Sequence, residues 1–593
     1  MASETKRTYD FLYDQRSYQG VPCQTNCPVH TDVEGYIQLI REGDFDAAHR
    51  LIRETNPFPA VCGRICQHWC ERGCNRRMID QSLSIMSLKR SATDYSKDTF
   101  KLPEQRYNTL ERVAIIGAGP AGLTAAHDLA KLGYRPTVFE MFPHPGGMMR
   151  YGIPAYRLPR EVIDFEVEYI KRLGVEIRYN TMVGRDIHFH EMQAEFKAIL
   201  IAAGAHKAVH LKVPGENLKG VYHGCTFMQL VNLGKSLPPM AGKTVAVIGG
   251  GFTAMDVSRS SIRLGAKKVY IVYRRTRTEI PVNEKEIVEA EDEGIVFRYL
   301  EAPVEIVSND GVNVSGIKLI KSELGEPDAS GRRKPVPVAG SEFVLECDYV
   351  MPAVSQSPDM SFISQKSGLR LTSWGSLDVN QQFETNLPGI FATGDYITGT
   401  RDVINVVADG HRTAISIDAF LRGTRGEYSR TEDLLLKEDQ TPAKLASYDN
   451  ISRHHAENIP LNLRLNTFEE VERTFTREEA MLEAARCFQC SHTWRYNSDT
   501  CILCNNCVDV CPQKCLGMAE LTELEFSRLF NENISMKEQG ITGIEIDRDL
   551  CIRCTFCAQV CPTDSIDFTI YEKPEVRVQG AIGSFKTEGK GKK

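Results

Sequence analysis

RVAIIGAGPAGLTAAHDLAKLGYRPTVFE, residues 112–140, reads as a strand, a glycine loop, a helix and a second strand. Gly117, Gly119 and Gly122 form G-x-G-x-x-G between the apolar run VAII and the helix. The first glycine permits the tight turn, the second lets a pyrophosphate approach the backbone, and the third lets helix and strand pack closely. The helix N-terminus then meets phosphate with its partial positive charge. Glu140 ends the second strand, where an acid binds a ribose hydroxyl. Glycines alone fit a purely structural turn; the element order with the acid in place points to a dinucleotide.

A second such unit, KTVAVIGGGFTAMDVSRSSIRLGAKKVYIVYRR, occupies residues 243–275. Gly249, Gly251 and Ala254 give G-x-G-x-x-A, and Arg274 and Arg275, then Arg277, stand where the acid would be. Missing carboxylate repulsion and nearby guanidinium groups suit a 2′-phosphate, so NADP is expected ahead of NAD. Solvated surface charge is the bland alternative. One dinucleotide fold inserted in another is the plan of two-domain flavin reductases. In that plan Gly394 and Asp395 of FATGD supply the second FAD contact, the aspartate meeting the ribityl chain. FAD is therefore expected at the first site and the nicotinamide cofactor at the second. No C-x4-C lies near the flavin segment, and the isolated Cys225 and Cys347 are expected as buried core thiols. Electrons leaving the flavin are expected to pass to metal clusters, not to a dithiol.

Sixteen of the nineteen cysteines support that expectation. Cys501, Cys504, Cys507 and Cys511 precede Pro512, and Cys551, Cys554, Cys557 and Cys561 precede Pro562. Each run is C-x2-C-x2-C-x3-C-P, the spacing of bacterial two-cluster ferredoxins, in which the fourth cysteine serves the other cluster. One [4Fe–4S] cluster is thus expected on Cys501, Cys504, Cys507 and Cys561, and another on Cys551, Cys554, Cys557 and Cys511. Zinc sites show paired C-x2-C units rather than two such triplets. Cys515 has no assigned task.

The chain has 593 residues, 42% hydrophobic and 25% charged, with a net charge of −7. These values suit an ordinary globular protein of several domains and give no case for nucleic acid or an anionic membrane. No apolar run reaches the length of a spanning helix, and the N-terminus lacks a secretory core, so a cytoplasmic location is expected. Residues 1–110 read as a helical N-terminal domain, with a capping box of Thr31 and Glu34 before YIQLIREG. Residues 111–240 and 351–425 form the first dinucleotide domain and 241–350 the second. Residues 426–495 read as a linker carrying the helix TREEAMLEAARC, capped by Thr476 and Glu479. The ferredoxin module spans 496–570, and 571–593 is an expected disordered tail. The fold class is multidomain α/β: a helical iron–sulfur domain, two Rossmann-like domains with the second inserted in the first, and a ferredoxin-like α+β domain.

Several motifs resemble the glutamate synthase small subunit and its relatives, among them the N-terminal half of dihydropyrimidine dehydrogenase. They are PCQTNCPVHTDV, NPFPAVCGRICQHWCERGCN, GAGPAGL, GGMMRYGIPAYRLP, GGGFTAMD, YRRTRTEIP and ATGD, spread over residues 23–425. The resemblance implies cofactor contacts at Gly147 and Arg150 and two [4Fe–4S] clusters in the N-terminal domain. The family's R-C-L-x-C pair is missing before Cys23, whereas ARCFQC supplies Cys487 and Cys490 far downstream. One cluster is then expected on Cys23, Cys74, Cys487 and Cys490, and the other on Cys27, Cys62, Cys66 and Cys70. The alternative leaves Cys487 and Cys490 spare and the domain with a single cluster.

Four clusters, FAD and NADP or NAD describe an electron relay, since a flavin exchanges two electrons with a nicotinamide and one at a time with clusters. No general acid or nucleophile is required, and His68, His411 and His492 are expected to be structural or on the surface. No substrate domain remains once the modules are assigned. A partner oxidoreductase subunit or a ferredoxin is expected, in a hetero-oligomer, with a 2-oxoacid:acceptor oxidoreductase as one candidate. A glutamate synthase small subunit, a free-standing NAD(P)H:ferredoxin reductase or transhydrogenase half, and a non-catalytic assembly subunit are the competing readings.

Overall fold

The computed structural model describes residues 20–97, 102, 111–328, 331–363, 367–424, 429–436, 448–497, 500–520, 542–547 and 550–579. The N-terminal domain packs helices Val33–Arg41, Phe45–Arg53, Pro59–Ile65 and Ile85–Tyr95 around Tyr36, Ile37, Ile40, Ile52 and Leu88. The first helix is capped one residue later than the sequence suggests. Asp32, not Thr31, accepts the Gly35 N–H, at 3.0 Å. Glu34 is drawn instead to the backbone N–H and hydroxyl of Ser491.

The expected linker is from residue 448 onward part of this domain. Helix Arg477–Ala485, which carries the Thr476–Glu479 capping box, sends Ala480 and Ala484 into the same core. Arg486, fully buried, pairs with Asp80 at 2.9 Å and with Glu483 at 2.9 Å. Such a buried pair is costly to break from one side, so it fixes the Cys487–Cys490 loop. The polar composition of 448–475 hid this role: Phe475 enters the same core, but most of the segment's side chains bond to the domain instead of filling it.

The flavin domain is a parallel sheet in the spatial order Ile390–Ala392, Ala198–Ile201, Arg112–Ile116, Arg135–Phe139, Glu176–Arg178. Helix Pro120–Lys131 lies beside the long helix Val403–Leu421. His411 ties the two, facing Asp128 with Nδ1 and the Thr55 carbonyl with Nε2, and is structural. The inserted domain has a parallel sheet of Tyr349–Pro352, Thr244–Ile248, Lys268–Tyr273 and Val296–Tyr299. The chain crosses between the domains at an antiparallel pair, Lys207–Ala208 with Gln356–Ser357. The crossing therefore comes well before residue 240, because Phe227 and Met228 already fill the second domain's core.

In the C-terminal domain, His492–Tyr496 pairs antiparallel with Ile566–Gln579, and Leu516–Glu520 pairs antiparallel with Thr542–Ile546. The strand Ile566–Gln579 runs on into the expected tail and pairs there with Ser429–Leu436; residues 580–593 lie outside the described residues. No described helix is long and apolar enough to cross a membrane.

Candidate functional site

A single cleft of about 1360 Å³ runs between the two dinucleotide domains. Gly117, Gly119, Glu140, Gly147, Gly394 and Asp395 line it on the flavin side, and Gly249, Gly251, Arg274 and Arg275 on the other. Gly117 has φ +106°, and a Cβ there would lie 2.5 Å from the Ala202 carbonyl oxygen. Gly122 and Ala254 do not line the cleft; they are packing positions beneath the two loops. Glu140 is buried and accepts the Ala118 and Phe142 N–H groups, each at 2.9 Å. Arg150 does not reach the cleft. Its guanidinium donates to the Pro145 carbonyl at 2.7 Å and pairs with Asp164.

The arginines divide their work. Arg275 is buried and held by Asp328 and the Arg333 carbonyl, at 2.7 and 2.8 Å. Arg277 pairs with Glu284 and Glu291. Arg274 is exposed along the cleft, and Arg332 joins it from the neighbouring hairpin. Arg157, from the family-like segment GIPAYRLP, was not singled out by sequence. It crosses to the second domain and pairs with Asp256 at 2.8 Å and Glu286 at 2.7 Å.

Burial pushes the Asp395 carboxyl up to about 7; the Arg401 N–H and charge oppose this, and Asp409 and Asp402 reinforce it. The folded chain then holds more protons than the unfolded one between pH about 4 and 7, so stability falls as pH rises through that window. Thermal melts of FAD-free protein will show a loss on the order of 2 kcal/mol from pH 5 to pH 8, and Asp395→Asn will flatten that slope.

The cysteines gather in four places. Cys501, Cys504, Cys507 and Cys561 line one small cavity with Tyr496. Cys511, Cys551, Cys554 and Cys557 line a second, joined by Cys515, whose Sγ is 3.4 Å from that of Cys511. The sequence held a signal for Cys515: C-P-x-x-C in the first half matches C-P-x-x-S in the second. The N–H groups of Cys515 and Ser565 point to the Cys511 and Cys561 sulfurs at 3.3 and 3.2 Å.

In the N-terminal domain, burial first, then Cys490, Cys74 and Cys487, push the Cys23 thiol well up. Burial raises Cys62 to about 12 against the opposing charge of Lys89, with Cys66 and Cys27 adding to the rise. Cys70 rises for the same reasons. Thiolates crowded this closely repel one another, so each set suits an iron cluster that supplies the compensating charge. Tyr36 supports the fit. It is fully buried between the two sets, facing Cys70, Cys23, Cys27 and Cys66, and its hydroxyl has no partner among the described residues. Cys225, on helix Gly224–Asn232, is buried and lines the cleft between the two domains, whereas Cys347 is buried in the core of the inserted domain.

The sets adjoin one another. The Asn75 amide donates to Cys490 Sγ at 3.7 Å and to the Ile552 carbonyl at 3.2 Å. Arg553 donates to the Cys490 carbonyl and Tyr448 to that of Cys554. Tyr448, Phe488, Cys490, Ile552 and Cys554 form one apolar cluster. At the other end, Ile65, Gln67 and Trp69, around Cys66, line the dinucleotide cleft.

Known proteins match this layout. Residues 111–413 match the pyridine nucleotide-disulphide oxidoreductase family, 15–100 the dihydropyrimidine dehydrogenase domain II 4Fe-4S cluster family, and 500–565 the 4Fe-4S dicluster domain family. The beta subunit of an NADP(+)-dependent formate dehydrogenase from Moorella thermoacetica is 39% identical, over 79% of this chain and 70% of the relative. The beta subunit of an NADPH-Fe(3+) oxidoreductase from Geobacter sulfurreducens is 37% identical, over 79% of this chain and 75% of the relative. The glutamate synthase [NADPH] small chain of Escherichia coli is 34% identical, over 67% of this chain and 88% of the relative. With the cleft and the thiol sets in place, the chain belongs to the NAD(P)- and FAD-dependent iron–sulfur oxidoreductases of the glutamate synthase small-subunit and dihydropyrimidine dehydrogenase group.

Proposed function

We propose that this chain is the nucleotide-linked electron-transfer subunit of a larger oxidoreductase, with four [4Fe–4S] clusters between the dinucleotide cleft and a partner subunit. The observation that carries the reading is the sequence of thiol sets in space. Cys27, Cys62, Cys66 and Cys70 stand next to the cleft. Cys23, Cys74, Cys487 and Cys490 follow, across Tyr36. Cys511, Cys551, Cys554 and Cys557 come next, across Asn75 and Arg553. Cys501, Cys504, Cys507 and Cys561 form the outer end, where Cys504 and Ile502 are exposed. When bound, FAD exchanges electron pairs with the nicotinamide and single electrons with the clusters. This chain's residues bind and orient: the Gly117 loop and Asp395 hold FAD, the Gly249 loop holds the nicotinamide dinucleotide, and Arg157 keeps the two domains in register.

The relatives that are beta subunits support a hetero-oligomer whose substrate site lies on another chain. A 2-oxoacid:acceptor oxidoreductase is one candidate partner class, and formate dehydrogenase is the class that a relative's name suggests. Co-purification of the native complex tests this: a stable assembly that reduces NAD(P)+ with a 2-oxoacid supports it, and recovery of a lone chain with only NAD(P)H:dye activity defeats it.

NADP is the favoured nucleotide, with Arg274 as the group left to meet a 2′-phosphate. A charge-assisted bond contributes about 1.5–3 kcal/mol, so Arg274→Ala will lower kcat/KM for NADPH roughly 10- to 100-fold and leave NADH unchanged. Arg275→Ala will instead lower thermal stability, because it releases Asp328.

A further inference from the structure

Lys89 lies on helix Ile85–Tyr95 and is 3% exposed. Its strongest charge partners are Cys66, Cys27, Cys62 and Cys70, all four members of the thiol set beside the dinucleotide cleft. Helix Pro59–Ile65, which carries Cys62, presses against Lys89's helix almost backbone to backbone: a Cβ on Gly63 would lie 2.8 Å from the Arg90 Cα. The helix that carries Lys89 is thus pressed onto the helix that carries Cys62, and the lysine is buried at that seam. No carboxylate among the described residues forms an ion pair with it. The nearby acid Glu71 is engaged by His68, Arg453 and the Met86 N–H.

An ammonium in an apolar seam costs several kcal/mol unless an anion faces it. Neutral thiols do not supply that anion, whereas four thiolates on an iron cluster do. We infer that Lys89 is the built-in counter-charge of the cluster site formed by Cys27, Cys62, Cys66 and Cys70, and that it raises the reduction potential of that cluster above what the sulfurs alone would set. The inference rests on the four-cluster reading above.

The reasoning is electrostatic. Reduction adds one electron, and so one negative charge, to the cluster, with the reductant losing that electron and no bond made or broken. A fixed positive charge stabilises the reduced form more than the oxidised one, and burial keeps solvent from screening it. Lys89 is therefore a tuning residue and not a catalytic one. The Cys23 set faces Glu34 and Arg553 instead. The effect is accordingly confined to one cluster, next to the flavin.

The test is a potentiometric titration of the anaerobic full-length holoprotein, followed by electron paramagnetic resonance, in Lys89→Met and Lys89→Arg, with iron counted in each. At the potential where the wild-type cluster is half reduced, Lys89→Met will show a reduced-to-oxidised ratio for that one cluster at least tenfold lower, equivalent to about 59 mV for one electron. Lys89→Arg, which keeps the charge, will stay near wild type, and the remaining clusters will serve as internal standards. Loss of that cluster's iron in Lys89→Met with retention in Lys89→Arg also supports a counter-charge. Full iron with an unmoved potential in Lys89→Met overturns the inference, as does equal loss or equal shift in both variants. Wild-type protein lacking this cluster altogether would defeat the four-cluster reading instead, so the two failures are distinguishable.

Discussion

Changing Cys487 and Cys490 together to alanine will remove about a quarter of the chain's iron, one cluster of four, while leaving the flavin and the ferredoxin-domain clusters in place. The fold around these cysteines does not hang on their sulfurs. Helix Arg477–Ala485 is fixed by its capping box, by Ala480 and Ala484 in the core, and by the buried Arg486 network with Asp80 and Glu483. The variant will therefore stay folded, and its deficit will be local. NAD(P)H will still reduce the flavin, and a dye that accepts electrons at the flavin will still turn over. Reduction of the clusters on Cys501–Cys511 and Cys551–Cys561 by NAD(P)H will nearly cease, because the lost site lies between them and the cleft. Iron analysis with stopped-flow absorbance reads both effects. Unchanged iron content would return Cys487 and Cys490 to the role of spare thiols and leave the N-terminal domain with a single cluster.

That sulfur pair also marks how far the sequence could be read. The glycine loops, Glu140, Asp395 and the two ferredoxin runs were legible because each needs fixed residue types at short, fixed spacing. The convergence of Cys487 and Cys490 on Cys23 and Cys74 came from counting thiols against a family pattern, and the structure places these four sulfurs together. Arg150, away from the cleft, and Arg275, on its wall, share one feature that the sequence did not show: a guanidinium near a dinucleotide loop has many acceptors within reach. Here Asp164 and Asp328 take them. Arg157, Asn75 and Lys89 were invisible because their partners lie on other elements, up to 477 positions away for Asn75 and Ile552. The entry of 209–240 into the second domain was hidden similarly, since no glycine loop announces it before Gly249. Residues 448–475 looked like a linker because much of what they contribute is hydrogen bonding, such as the Arg90 guanidinium to the Glu472 carbonyl at 2.8 Å and Arg453 to Glu71 at 2.8 Å.

Two glycines of the first loop will both lose FAD on substitution by alanine, but only one of them will lose stability. A Cβ on Gly122 would lie 2.2 Å from the Gly117 carbonyl oxygen, 3.2 Å from Ile115 Cγ2 and 3.3 Å from Ala202 Cβ. The first obstacle is backbone, so no rotamer change relieves it, and the loop must lift from the helix. Overpacking of this kind costs about 3 kcal/mol, which for a domain of this size lowers the flavin-domain melting temperature on the order of 10 °C. Gly122→Ala will therefore lose stability with or without FAD, and will purify without flavin. At Gly119 the nearest atom to a new Cβ is Gly147 Cα, 3.9 Å away, and the backbone is extended at φ −82°, ψ 178°, which alanine adopts freely. Its methyl would project into the cleft where the pyrophosphate must approach. Gly119→Ala will thus match wild type in the FAD-free melt yet bind FAD roughly 10- to 100-fold more weakly, the range that about 1–3 kcal/mol of overpacking against the ligand gives. Equal FAD content in Gly119→Ala and wild type would mean that the cofactor does not lie over this loop, and the assignment of the first site to FAD would fail with it.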